Sequence, residues 1–184
     1  MPVQRPNQWE AQLDHALGMG TSHLSLYQLT IEPGTRFATD VRRGVFAPLE
    51  EDKAAELYDL TQTLTREAGL PAYEISNHAR PGEESRHNLT YWRYQDSCGI
   101  GPGAHGRRSG FATVRHKKPE NFLKAVTQKR HGIAEQSHLP VDEQASEALL
   151  MGLRLVEGID LAALEARFGI PRWSMVSEAA LARY

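Results

Sequence analysis

Residues 73–106 read YEISNHARPGEESRHNLTYWRYQDSCGIGPGAHG. Amphipathic helices repeat their apolar residues every 3.6 positions and half-buried strands every second one; this stretch does neither. It holds His78, His87 and His105, the charged residues Arg80, Glu83, Glu84 and Arg86 around a Pro81-Gly82 turn, a Tyr91-Trp92 pair and then closely spaced glycines. Irregular segments of this composition are where sites sit, on loops held by a regular scaffold. The flanking sequence must supply that scaffold.

Upstream, Asn7 stands as an N-cap with Glu10 three residues on, and Trp9, Leu13, Ala16 and Leu17 share one face of a helix that Gly18 or Gly20 ends. In 23–31, Leu24, Leu26 and the run from Tyr27 to Ile31 read as a mostly buried strand, stopped by Pro33 and Gly34. A polar connection reaches Pro48. The longest helix comes next, over 50–68, with Leu57, Leu60, Leu64 and Ala68 as its stripe and Gly69 just past its end. Residues 73–76 are short and β-like. Two successive helix-to-strand steps predict an α/β fold.

Downstream, 110–115 reads as another short strand, and Pro119 opens a helix whose apolar face is Phe122, Leu123 and Val126. From Leu139 the character changes. Asp142 can cap a helix carrying Ala145, Leu149, Leu150, Leu153 and Val156 and ended by Gly158. Asp160 caps a second over 161–168, ended by Gly169, and Pro171 lets a third run to Tyr184. Short helices between glycine turns predict a small helical, winged-helix-like module with no wing strands. The expected domains are therefore 1–138 and 139–184.

The chain has 184 residues, 40% hydrophobic and 24% charged, which is globular composition. One cysteine, Cys98, excludes an internal disulfide framework and a cysteine-rich zinc or iron-sulfur site built by this chain. No signal-like or membrane-spanning apolar run interrupts the charges, so the expectation is a cytoplasmic protein without a transmembrane segment. From His78 to Lys118, eight lysines and arginines stand against three acidic residues. Such a local field favours an anionic ligand such as a phosphate, carboxylate or propionate. A solvated arginine-rich surface is the alternative, and no nucleic-acid partner is expected.

Gly101, Gly103 and Gly106 formally match G-x-G-x-x-G, but a dinucleotide site needs a preceding strand and a helix directly after it, and Arg107-Arg108-Ser109-Gly110 starts no helix. The glycines allow close backbone approach to a ligand, or simply a tight turn. The three histidines fit no short zinc signature. Among them His87 has the richest company, in HNLTYW: on a helix, His87 and Tyr91 would share one face and Asn88 and Trp92 the adjacent one. Glu83 and Glu84 read as surface charges.

HLSLYQLTIEPGT, YEISNHARPG, SRHNLTYW and GIGPGAHG, in this order and spacing, resemble the radical-SAM heme chaperone family, the oxygen-independent coproporphyrinogen III oxidase-like proteins, from Gln8 to about Ile170. The resemblance implies the C-terminal portion of an incomplete radical-SAM β/α barrel followed by a small, truncated helical domain. It implies heme as ligand, a heme-acceptor protein as partner, and S-adenosyl-L-methionine with a [4Fe-4S] cluster in the full-length family protein. The family's CxxxCxxC motif is absent here, so this chain is expected to be a fragment without radical chemistry of its own. The resemblance places heme on His87, Asn88, Tyr91 and Trp92; His87 would be the axial iron ligand, and Arg86, Arg80 and Arg93, within a few residues, could pair with the propionates. It places the S-adenosyl-L-methionine contacts on Thr30, Ala104 and His105. The sibling oxidase branch, which decarboxylates coproporphyrinogen, generally lacks HNxxYW, so the heme-handling branch is expected and an inactive piece of the oxidase is the alternative. Trp92 as a plain core residue, with His87 as its hydrogen-bonded neighbour, is the other reading of HNLTYW. Barrel strands without all their partners leave an open edge, so a homo-oligomer is also expected.

Overall fold

The computed structural model describes residues 4–182. The chain forms two compact units, Met1–Ser85 and Arg86–Tyr184. In the first, α1 (Pro6–Gly18) leads to β1 (His23–Ser25), then α2 (Arg36–Arg42), α3 (Glu51–Glu67), β2 (Ala72–Glu74) and β3 (Asn77–Ala79). The sheet order is β1-β3-β2, with both outer strands antiparallel to β3. Thus β1 and β2, each ending a helix-to-strand step, run in the same direction, and β3 folds back between them.

Helix α1 lies on α3: Leu13 is 1% exposed, Leu57 is buried, and the Trp9 indole donates to Thr61 Oγ1 at 2.7 Å. The helix begins one residue before the expected cap. Pro6 occupies the first turn, where its missing N–H costs nothing, and the Arg5 amide donates to Gln8 Oε1 at 3.1 Å, so Arg5 and Gln8 replace Asn7 and Glu10. The 23–31 strand is also corrected. Its partner β3 is three residues long, so the ladder ends at Ser25 opposite Asn77, with one further bond from Leu26 N to Ser76 O. Beyond it strand propensity finds no backbone to pair with, and Tyr27 and Leu29 are exposed.

On α3, Leu57 belongs to the buried face, but its neighbours there are Thr61 and Thr65 rather than Leu60 and Leu64. Each threonine hydroxyl donates to the carbonyl four residues back, which satisfies it without water. The expected polar connection contains α2, capped by Thr35, whose hydroxyl accepts from Ala38 N.

His78 is 1% exposed, and neither ring nitrogen has a hydrogen-bond partner among the described residues. Burial holds its pKa below the usual 6.5, against the opposing pull of Glu74. The unfolded chain therefore binds the proton more readily, so this contribution to stability is full above about pH 6.5 and is lost as pH falls below it. His78→Phe, which fills the site without orphaned nitrogens, is expected to raise stability by about 1 kcal/mol at neutral pH and to flatten the acid slope. Urea unfolding at several pH values measures both; an unchanged slope would refute the assignment.

The second unit comprises α4 (Arg86–Trp92), the strands β4 (His105–Arg108) and β5 (Phe111–Arg115), α5 (Pro119–Lys129), β6 (Ile133–His138), and the helices α6 (Val141–Gly152), α7 (Leu161–Phe168), α8 (Arg172–Met175) and α9 (Glu178–Leu181). Strands β4, β5 and β6 form an antiparallel meander. The edge strand β6 is nearly all exposed, so no alternation marks it in IAEQSH. Helix α5 buries Ala125 and seats Phe122 against Gly132, while Leu123 is exposed, which corrects the expected Phe122-Leu123-Val126 face.

Helix α6 starts at Val141 after Pro140 and ends at Gly152, not at Gly158. Its buried face is Ala145, Ala148 and Gly152; small residues let α6 approach its neighbours, and Leu150, Leu153 and Val156 stand exposed instead. Asp160 caps α7 as expected, accepting from the amides of Ala162 and Ala163, and Gly169 ends it at φ 69°. The expected third helix is two short ones, and Tyr184 lies outside the described residues. Tyr94, Ala148 and Leu164 form the core, with Leu149, Met151, Ile159, Leu161, Phe168 and Met175 around it. Among the described residues no helix is long and apolar enough to cross a membrane.

Candidate functional site

The HNLTYW segment folds as α4, and its 3.6-residue period brings His87 and Tyr91 onto one face, with ring centroids 4.7 Å apart and planes at 75°. His87 is exposed, and no other described residue engages its ring nitrogens. Imidazole nitrogens open to solvent are what an axial iron ligand or a proton carrier requires. Arg86 is exposed in the first turn of α4, and Asn88 is half-buried and engaged within the protein.

Trp92 turns the other way. The Arg154 guanidinium lies over its ring at 4.4 Å, its indole N–H is buried without a partner among the described residues, and it lines a cavity of about 260 Å³ formed with α6, α7 and their connection. Arg93 is held by Glu157 through two bonds of 2.8 Å, and this hydrogen-bonded pairing keeps the Glu157 carboxyl below the usual range. Arg80 is exposed in the first unit. The outward face of α4 is therefore His87 and Tyr91, with Arg86 beside them as the cation that no described ion pair engages.

Sequence 99–106 is a close-approach turn. Gly101 and Gly103 have φ of 93° and 73°. A Cβ on Gly99 would lie 2.5 Å from the His105 carbonyl oxygen, and one on Gly106 would lie 2.7 Å from the Gly99 nitrogen. Ser97 and Arg107 exchange both backbone hydrogen bonds across it, at 2.7 and 2.9 Å, and Arg115 Nε donates to the Gly99 carbonyl. The turn leads into strand β4 rather than a helix, so no amide-lined helix start faces a pyrophosphate here. Ala104 is half-buried in this turn, His105 is exposed at the first position of β4, and Cys98 is exposed.

Thr30 belongs to the first unit, on the rim of a cleft of about 560 Å³ lined by Trp9, Leu26, Leu57, Tyr58, Ile75 and His78 among others, with no Asp, Glu, Lys or Arg among the described residues of its wall. Among the described residues no three His, Cys, Asp or Glu side chains come together as a metal site. Sequence reasoning missed the group around Tyr94: its hydroxyl donates to Glu147 Oε2 at 2.6 Å, Arg107 lies 3.4 Å over its ring, and Arg167 donates to its carbonyl at 2.7 Å. These partners lie 13 to 73 positions away along the chain, and no local spacing announces them.

Comparison with known proteins identifies the fold first. The structure superposes on Escherichia coli coproporphyrinogen III oxidase HemN, a radical-SAM enzyme, with a TM-score of 0.74 over 100% of this chain and 46% of that one. At 16% identity this is a likeness of fold. The chain thus has the mixed α/β fold of the C-terminal part of a radical-SAM protein, and residues 139–184 match the family model described as the HemN C-terminal domain.

The sequence relatives are narrower. Mouse radical S-adenosyl methionine domain-containing protein 1, mitochondrial, is 40% identical over 167 residues, covering 86% of this chain and 38% of the relative. The heme chaperone HemW of Mycobacterium tuberculosis is 37% identical over 154 residues (84% and 40%), and that of Bacillus subtilis 30% identical over 169 residues (92% and 45%). Together these similarities support the C-terminal region of a HemW-type radical-SAM protein as the counterpart of this chain. It spans less than half the length of these relatives.

Proposed function

We propose that this chain is the heme-holding part of a heme chaperone, with His87 as the iron ligand. The observation that carries the reading is the pairing on α4 of the exposed His87 with the half-buried Tyr91, both imidazole nitrogens being unengaged among the described residues. Bound heme would supply an iron centre for axial imidazole ligation. His87 would offer that imidazole, the Tyr91 ring would offer apolar surface, and Arg86 would pair with a propionate. Asn88 and Trp92 would support the helix from its inner side. An imidazole on an open helix face, outside both the 560 Å³ and the 260 Å³ cavities, suits a protein that gives its ligand up to an acceptor protein more than one that buries it permanently.

Thr30, Ala104 and His105 are each proposed as contacts to S-adenosyl-L-methionine in a longer protein of this family, whose [4Fe-4S] ligands are not in this sequence. Residues 1–138 and 139–184 are proposed as its barrel portion and helical domain, the latter being the segment that the HemN C-terminal model matches. A cytoplasmic location and self-association are proposed as well, a mitochondrial location being the alternative that the names of the mouse, bovine and zebrafish relatives raise.

Titration of the purified chain with hemin is expected to give a shifted Soret band that saturates near one equivalent, with metal-free protoporphyrin binding far more weakly. A featureless, non-saturating absorbance, or equal binding of both porphyrins, would overturn the reading. Coproporphyrinogen decarboxylation by a longer, cluster-loaded protein would instead favour the oxidase alternative.

A further inference from the structure

We propose that Tyr94 is a positioning residue: its ring, clamped from three elements, fixes the end of α4 and so the direction in which the His87–Tyr91 face points. The heme reading enters only in what that face presents. Helix α4 ends in a paired-carbonyl cap, with Gln95 N donating to Thr90 O and Tyr94 N to Tyr91 O, both at 2.9 Å. In this motif the residue after the cap is left-handed, a place that glycine ordinarily fills because a Cβ is strained there. Here it is a tyrosine at φ 52°. A bulky residue held in that region is over-determined by its surroundings.

The surroundings are visible. Tyr94 is 2% exposed. Its hydroxyl donates to Glu147 Oε2 on α6 at 2.6 Å, Arg107 on β4 covers its ring at 3.4 Å, and Arg167 on α7 donates to its carbonyl at 2.7 Å. Phe168 meets the ring edge-on at 6.2 Å. Burial and the Glu147 acceptor push the phenol's pKa far above neutrality, so the hydroxyl stays a donor at every working pH. Strand β4 and helices α6 and α7 thus converge on the residue just past the two turns of α4.

Glycine separates the cap from the ring. Tyr94→Gly supplies the residue the turn prefers and deletes the clamp; Tyr94→Phe keeps the ring and deletes one hydrogen bond. Amide exchange of residues 90–95 reads the clamp without any ligand, and the hemin Soret band reads the face. The expected result for Tyr94→Gly is exchange at 90–95 faster by roughly tenfold or more while β5 keeps its protection, together with a Soret band altered in position. Tyr94→Phe is expected to restore most of both. Unchanged exchange at 90–95 in Tyr94→Gly would overturn the proposal, and so would equal loosening of β5, because the ring would then be a general core residue. If the unaltered chain gives no Soret shift, the heme reading fails on its own while the exchange at 90–95 still decides the role of Tyr94.

Discussion

His87→Ala is expected to lose the hemin Soret shift, whereas His78→Ala and His105→Ala are expected to keep it. The expectation rests on where each imidazole stands. His87 is exposed on α4, its ring nitrogens are unengaged among the described residues, and it has an aromatic neighbour at 4.7 Å. His78 is 1% exposed inside the first unit, and His105 sits at the start of β4 with no described ring beside it. Changes in groups that merely support a metal ligand cost roughly 10–100-fold in affinity, so removal of the ligand itself should exceed about 100-fold. The fold should hardly notice, because substitutions at exposed positions away from special geometry stay within about 0.5 kcal/mol. Circular dichroism and the urea midpoint check that clause. Retained affinity in His87→Ala would remove the iron-ligand assignment, and an equal loss in all three variants would mean non-specific adsorption.

Gly99→Ala and Gly106→Ala are expected to be the most disruptive single-methyl additions in the chain. Their Cβ atoms would meet backbone, at 2.5 Å from the His105 oxygen and 2.7 Å from the Gly99 nitrogen, and backbone paired in a ladder has no rotamer with which to escape. Overpacking of this kind costs about 1–3 kcal/mol, and the paired Ser97–Arg107 bonds would be spread as well. Gly132→Ala is the informative control, since its new methyl would meet the Phe122 ring, a side chain that can turn aside. Thermal unfolding should rank Gly132→Ala as the mildest. If Gly99→Ala and Gly106→Ala melt with the parent, the close approach of the two segments is not what those glycines provide.

Legibility in the sequence tracked locality. Asp160 and Gly169 bounded α7 correctly because a side-chain cap and a left-handed stop are decided within a few residues. HNLTYW was readable for the same reason: once helical, its spacing fixes which rings meet. The 23–31 segment misled because strand propensity says nothing of a partner, and β3 offers three residues. Leu150, Leu153 and Val156 misled because hydrophobicity marks candidates for burial, whereas the close contact of Gly152 with Ile159 selects the small-residue face, and of the expected leucines only Leu149 packs on the core. Tyr94 was invisible in principle, since its partners arrive from β4, α6 and α7.

Cys98 offers an experimental consequence of a different sort. It is the sole thiol of the chain, it is exposed, and it comes after α4 within the same compact unit. A single fluorophore attached through maleimide chemistry would therefore label one defined place without cysteine removal. Heme absorbs strongly where common dyes emit, so loading would be followed as quenching and hand-over to an unlabelled acceptor as recovery of emission. The chain thus carries its own optical reporter position, and transfer could be timed in a stopped-flow instrument without waiting for an acceptor's activity.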